Sequence, residues 1–297
     1  MRLRNLILLV VLPLVVAPIV LLGSLGYIAL RDRTEQSVQN QVNTLLDQVA
    51  IFLDAKLRAV QADARVLASS GLVERYVLTS DELDRYELFQ PPLLKMFGEQ
   101  QQVDPDYFEI RILLPDGHED VRVTTQQVAN LSEAEGDSAY FQALSAAPAD
   151  AFSTFMLNPD NGWPVLLVSK RLRLKDRSVD PLATKARVRG YLIITARLAT
   201  LERQARNNRI GAAGILLFAD GQGQILVHPD PLRVGARLPA TRLAGLVSSL
   251  PSGRLMALGV GGCVLRWRAR EVVDDLVAVV CWGAPEVSRG GSRGGVW

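Results

Sequence analysis

The chain of 297 residues sets 33 Lys and Arg against 31 Asp and Glu, and a formal net charge of +2 singles out neither nucleic acid nor an acidic surface as a partner. Two cysteines exclude a disulfide-built scaffold or a cysteine-rich metal site. Two histidines, His118 and His228, fall in different parts of the chain and give no basis for a histidine-centred catalytic or zinc site.

After a basic head over 1–5, Leu6 to Leu30 runs without one charged residue. At about 1.5 Å of rise per helical residue it exceeds the ~30 Å hydrocarbon core of a bilayer. Pro13 and Pro18 fall inside it, where a membrane helix tolerates them. The competing reading is a cleaved signal peptide. It asks for a shorter apolar run and a small-x-small site, whereas Ala17 is followed by Pro18. Residues 6–30 are therefore expected to be an uncleaved transmembrane helix. Arg2, Arg4 and the terminal amine place the N-terminus in the cytoplasm, because Arg31 and Arg33 are balanced by Asp32 and Glu35.

Residues 31–78 read as a stalk, helical from Asp32 to about Tyr76. Val38, Val42, Leu45, Val49 and Phe52 form one apolar stripe, and Leu53, Leu57, Val60, Ala64 and Leu67 form another offset by one residue. Such a helix either lies on its own core or pairs with a second copy, and dimerisation along it is expected. Leu78 to Gln102 is expected to be helical but broken at Pro91-Pro92. The period then changes. Tyr107–Leu114 and Glu119–Thr124 flank the turn Pro115-Asp116-Gly117 as a hairpin. A short helix over Ser138–Leu144 and strands over 152–157, 165–174 and 187–195 follow, then a helical link at Leu198–Asn207. Domain one thus covers 79–207. A second set over 208–284 repeats the order: strands at 214–219 and 224–228, a helix at 242–249, and strands at 254–258, 263–270 and 276–281. The fold class is α+β with mostly antiparallel pairing. Residues 285–297, rich in Arg and Gly, form a low-complexity tail unable to build a core.

The layout resembles a double Cache extracytoplasmic sensor, two PAS-like modules behind a membrane helix. Three patterns carry the likeness. The hairpin Glu109-Ile110-Arg111 … Asp116-Gly117-His118-Glu119-Asp120-Val121-Arg122 is similar to one in such sensors. Tyr140-Phe141, Pro164 and Gly190-Tyr191-Leu192-Ile193-Ile194 follow in their order, and Gly214 to Pro231 looks like the opening of the second module. The resemblance implies a small-molecule sensor of a bacterial receptor, with the bulk of the chain in the periplasm. It also implies an output domain, a histidine kinase, diguanylate cyclase or chemotaxis helix. None is recognisable here, so the chain is read as an input half ended by truncation or frameshift. The alternative is a single-pass envelope accessory protein that binds a solute or partner.

Arg111 and Arg122 stand on paired strands, and a guanidinium fork suits a carboxylate. They are candidate ligand residues for an anionic or amino-acid-like molecule, or else structural partners of Glu109, Glu119 or Asp120. Tyr140 and Trp163 are candidate pocket walls. Lys170, with Arg171, Arg173 and Lys175, belongs to a positive cluster that is either an anion site or a solvated face. Cys263 and Cys281 lie equally far from Val272. A hairpin centred there would bring them opposite each other as a disulfide, and otherwise they are buried thiols. No nucleophile–His–acid set is present, so neither enzymatic activity nor a cofactor or metal is expected.

Overall fold

The computed structural model describes residues 3–283 except 132, 176–184, 208–214, 221, 239–255, 261–262 and 274–275. For 3–18, 28–35, 38–39, 42 and 256–283 it describes the backbone alone. The chain divides into two units, residues 1–47 and 48–297.

The first helix, α1, runs from Leu3 to Ala68, so Leu6–Leu30 lies wholly in helix. The side chains described in that segment, Ile19 to Tyr27, are exposed. Among the described residues, no helix is long and apolar enough to cross a membrane. From Val49 onward one stripe is buried: Val49, Leu53, Leu57, Val60, Ala64 and Leu67. This is the second stripe of the sequence with Val49 ahead of it, while Phe52 is only half-buried.

The helix expected to reach Tyr76 ends earlier. It stops at Ser69-Ser70, where the Ser70 hydroxyl accepts from Val73 N–H and caps α2 (Gly71–Leu78). After α3 (Glu82–Asp84) comes a π-helical turn, Arg85–Phe89, and then α4 (Gln90–Val103). The expected break at Pro91-Pro92 is absent. Gln90 N–H donates to the Arg85 carbonyl, five residues back, and the prolines take the first positions of α4, where a missing N–H does least harm.

The first sheet holds β1 (Tyr107–Leu113), β2 (Glu119–Thr124), β3 (Ala151–Leu157), β4 (Pro164–Leu174) and β5 (Arg187–Arg197), in the order β2-β1-β5-β4-β3, all antiparallel. Its middle strands are buried on both sides, hence the near-continuous apolar runs of β4 and β5. One face lies toward α2 and α4. The other bears Leu113, Leu167, Tyr191 and Ile193 beneath Phe141 and Leu144 of α5 (Ala139–Ala146).

Next, α6 (Ala199–Asn207) leads to a second sheet of β6 (Ile215–Asp220), β7 (Ile225–Val227), β8 (Met256–Val260), β9 (Cys263–Val273) and β10 (Leu276–Gly283). Its order, β7-β6-β10-β9-β8, repeats that of the first sheet position for position. The helix expected at 242–249 and the tail at 285–297 lie outside the described residues. The cysteine pairing needs correcting: β9 and β10 turn between Val273 and Leu276, not about Val272. Cys281 then pairs with Trp267 and Cys263 with Val260. The two cysteines do not face each other across the ladder.

Candidate functional site

The candidate site is the α5-covered face of the first sheet, and Arg111 is at its centre. Strand β1 points Glu109, Arg111 and Leu113 to this face by alternation. The register sets them beside Thr195, Ile193 and Tyr191 of β5. Arg111 is only 3% exposed. Its guanidinium donates to a Glu135 carboxylate oxygen at 3.0 Å and to the Tyr140 hydroxyl at 2.6 Å, with Glu119 at 3.4 Å and Glu109 at 3.8 Å.

Arg122 is its cross-strand partner. Like charges directly opposite repel, and acids are interleaved to prevent it. Glu109 accepts from Arg122 while lying beside Arg111, and it also accepts from the Thr195 hydroxyl at 3.1 Å. The far side of the Arg122 fork holds Asp160. Two loops are thereby tied down over the sheet. Asn130 donates to Glu119 at 2.9 Å, Leu131 N–H donates to Asp160 at 2.8 Å, and Glu135 reaches Arg111 from the same loop. Gly117, at φ +92, lets the hairpin turn press against this loop. A Cβ there would meet the Gly136 backbone at 2.6 Å, and one on Gly136 would meet the Asp116 carbonyl equally closely.

Among the described residues, carboxylates at this centre outnumber guanidinia two to one: Glu109, Glu119, Glu135 and Asp160 around Arg111 and Arg122. Burial pushes the Glu119 carboxyl above its usual range, and Arg111 and Arg122 counter this only in part. Burial also pulls the Arg111 guanidinium down, but Glu109, Tyr140 and Glu135 outweigh it and hold the charge more firmly than usual. The Tyr140 phenol is raised by burial and stays protonated. Among the described residues, no group of His, Cys, Asp and Glu is placed to hold a metal ion.

Three of the five candidate residues therefore meet: Arg111, Arg122 and Tyr140. Trp163 instead stands edge-on to Phe108 at 5.3 Å, with the Arg197 guanidinium 4.0 Å above its ring. Lys170 alternates with Ser169 and Arg171 on β4, so it belongs to the opposite face, with Asp150 at 3.9 Å. Its neighbour Arg171 is not on a solvated face. It is buried and donates to the carbonyls of Leu144, Ser145 and Ala147, closing the C-terminal end of α5. Asp120, considered as an arginine partner inside the hairpin, turns away to Arg85 on the π-helical turn. Glu135 and Asp160 were missed because both sit in loops with no periodicity to read. Ser169 was missed because it lies inside an apolar run, yet its hydroxyl has no hydrogen-bond partner.

No family model matches the chain, and none of the curated proteins does. Solved structures match over most of its length. A domain from Vibrio parahaemolyticus, of a protein assigned to the sensory box/GGDEF family, has a TM-score of 0.59 at 14% identity, covering 82% of this chain and 96% of that one. The ligand-binding domain of the Campylobacter jejuni chemoreceptor Tlp3, bound to 4-methylisoleucine, gives 0.58 at 13%, covering 88% and 96%. That of the Pseudomonas fluorescens chemoreceptor CtaA with L-isoleucine gives 0.53 at 13%, covering 85% and 95%. What is shared is the fold. It is the fold of receptor sensory domains.

Proposed function

We propose that this chain is the sensory input module of a membrane-anchored receptor. Leu6–Leu30 serves as the anchor and the rest of α1 as a stalk that pairs with a second copy. The two sheets serve as tandem PAS-like modules in the manner of a double Cache sensor, and a small molecule binds over the α5-covered face of the first. The observation that carries this reading is the fold likeness, which takes in nearly the whole of each receptor domain it matches. Two features support it. A helix apolar on every side and exposed from Ile19 to Tyr27 needs a nonaqueous surrounding. Ile51 and Val66 leave apolar groups uncovered along the stalk. Arg2 and Arg4 in the head support an orientation with the N-terminus in the cytoplasm and the sheets outside it. In this role the chain binds and reports, and performs no chemistry.

The test is a thermal-shift screen of the full chain in mild detergent against amino acids, organic acids, amines and purines. A true ligand at a hundredfold its Kd adds about 2.7 kcal/mol to the folded state. A screen in which no class moves the melting temperature would rule out the sensor reading.

A further inference from the structure

The face that carries Arg111 also carries a hydroxyl with nothing to bond. The register runs Arg122, Arg111, Ile193, Ser169, Phe152 across the five strands. Ser169 thus lies two strands from Arg111, about 10 Å away at the usual strand spacing. It is 0% exposed, and its Oγ has no partner among the described residues. Buried hydroxyls nearly always have one. Across the strands it faces Ile193 and Phe152, which are apolar. Along β4 it lies between Leu167 and Arg171, whose buried guanidinium is turned to the carbonyls at the end of α5.

The charge balance is a second, separate observation. Both arginine forks already hold carboxylates, so an anionic ligand would have to displace one of them. Among the described residues the carboxylates around the two arginines are in excess, and their side chains are between 1% and 9% exposed. Negative charge kept from water is costly until a cation joins it.

We propose that the ligand of this face is a small organic cation whose ammonium group sits among the carboxylates around Arg111 and Arg122. A second polar group at its far end hydrogen-bonds Ser169. The proposal rests on the sensor reading and narrows its ligand class, replacing the anion that the arginines alone suggest. Between the two ends lies Ile193 on β5, with Leu167 beside Ser169 on β4, so the body of the ligand is aliphatic. A serine hydroxyl both donates and accepts, so an amine or an alcohol satisfies it.

The experiment is calorimetric titration of the full chain in mild detergent with putrescine, 4-amino-1-butanol, succinate and L-isoleucine, with melts of the unliganded variants alongside. Putrescine or the amino alcohol is expected to bind, and succinate is not. Ser169→Ala is expected to raise the unliganded melting temperature by about 2 °C, since it removes an unsatisfied group, and to weaken amine binding about fivefold. These opposite signs separate a ligand partner from a packing residue. Glu135→Gln, which keeps the shape, is expected to weaken amine binding more than tenfold. A lower unliganded melting temperature with unchanged affinity for Ser169→Ala would overturn the role of the hydroxyl. Binding of succinate or L-isoleucine without the amines would overturn the cation while leaving the sensor reading intact. Binding of none of the four would also overturn it, and the broader screen would then decide the sensor reading by itself.

Discussion

Arg111 is the cation that Glu135 and the Tyr140 hydroxyl meet directly, with Glu119 and Glu109 alongside. Replacing it with Met leaves Glu135 and its neighbours buried without their cation, and a cost of about 3–5 kcal/mol is expected, read as a lower urea midpoint at unchanged slope. Arg58→Ala breaks the pair with Asp54 on a side chain 76% exposed, and it should move the midpoint by almost nothing. Lys56 offers a test with pH. Burial pulls its ammonium down, but Asp104 and Asp106, each 2.9 Å from Nζ, more than reverse this and leave it raised above 10.5. A cation raised in the folded state contributes stability that is present below pH 10.5 and lost as pH climbs through the raised value. The Lys56→Met variant should therefore lie below the parent at neutral pH and converge on it in alkali. Glu119 works in the other half of the scale. Its carboxyl is raised, so the folded state holds the proton more tightly, and stability present below about pH 4.5 falls as pH rises past it. In Glu119→Gln that fall should be missing. Arg111, Arg122 and Tyr140 could be singled out because they sit on a hairpin and a helix start with recognisable spacing. Glu135 and Asp160 could not be, because what brings them in is tertiary closure of two loops.

Among elements, the hairpin was legible to within a residue, because Pro115-Asp116-Gly117 fixes the turn and alternation fixes the strands. The helix end at Ser69-Ser70 was not. An apolar stripe says where a helix packs, whereas its stop depends on one serine hydroxyl turning back to Val73 N–H. Ser70→Ala should cost about 1 kcal/mol by urea melt. The prolines at 91 and 92 misled for a related reason. Their effect depends on the turn before them, and a π-helical turn leaves no N–H to be missed. The cysteine reading failed because equal spacing about a centre predicts pairing only when the centre is known, and a shift of the turn slides the whole register. At the crossing of Gly117 and Gly136 the hairpin turn and the loop leave no room for a Cβ. Gly117→Ala combines a backbone at φ +92 with a backbone clash, and a loss above 1 kcal/mol is expected. Gly162→Ala, at φ +70 but with open space around it, should cost less.

For the molecule as a whole, the order of strands was recoverable in outline because each half sets out a hairpin and then three strands. That both sheets take the same spatial order was not, since nothing in a strand's own sequence names its neighbour. The anchor is a whole-molecule prediction: the expressed chain should stay with membranes through carbonate extraction. Leu22→Arg, in the apolar segment, should release part of it, at a cost of about 2.5–3.5 kcal/mol if the site lies at mid-bilayer. Recovery of the unaltered chain in the carbonate supernatant would remove the anchor from the proposal.

Helix α6 begins where β5, the centre strand of the first sheet, ends. Leu198 N–H donates at 3.0 Å to the Pro164 carbonyl at the start of β4, and from there the helix lies against β6 and β7, with Leu201 and Ala205 buried. Such a part works like a push-rod. Its near end follows directly from the centre strand β5 and is bonded to β4 beside it, so a shift of β5 along its length would be passed toward the second sheet.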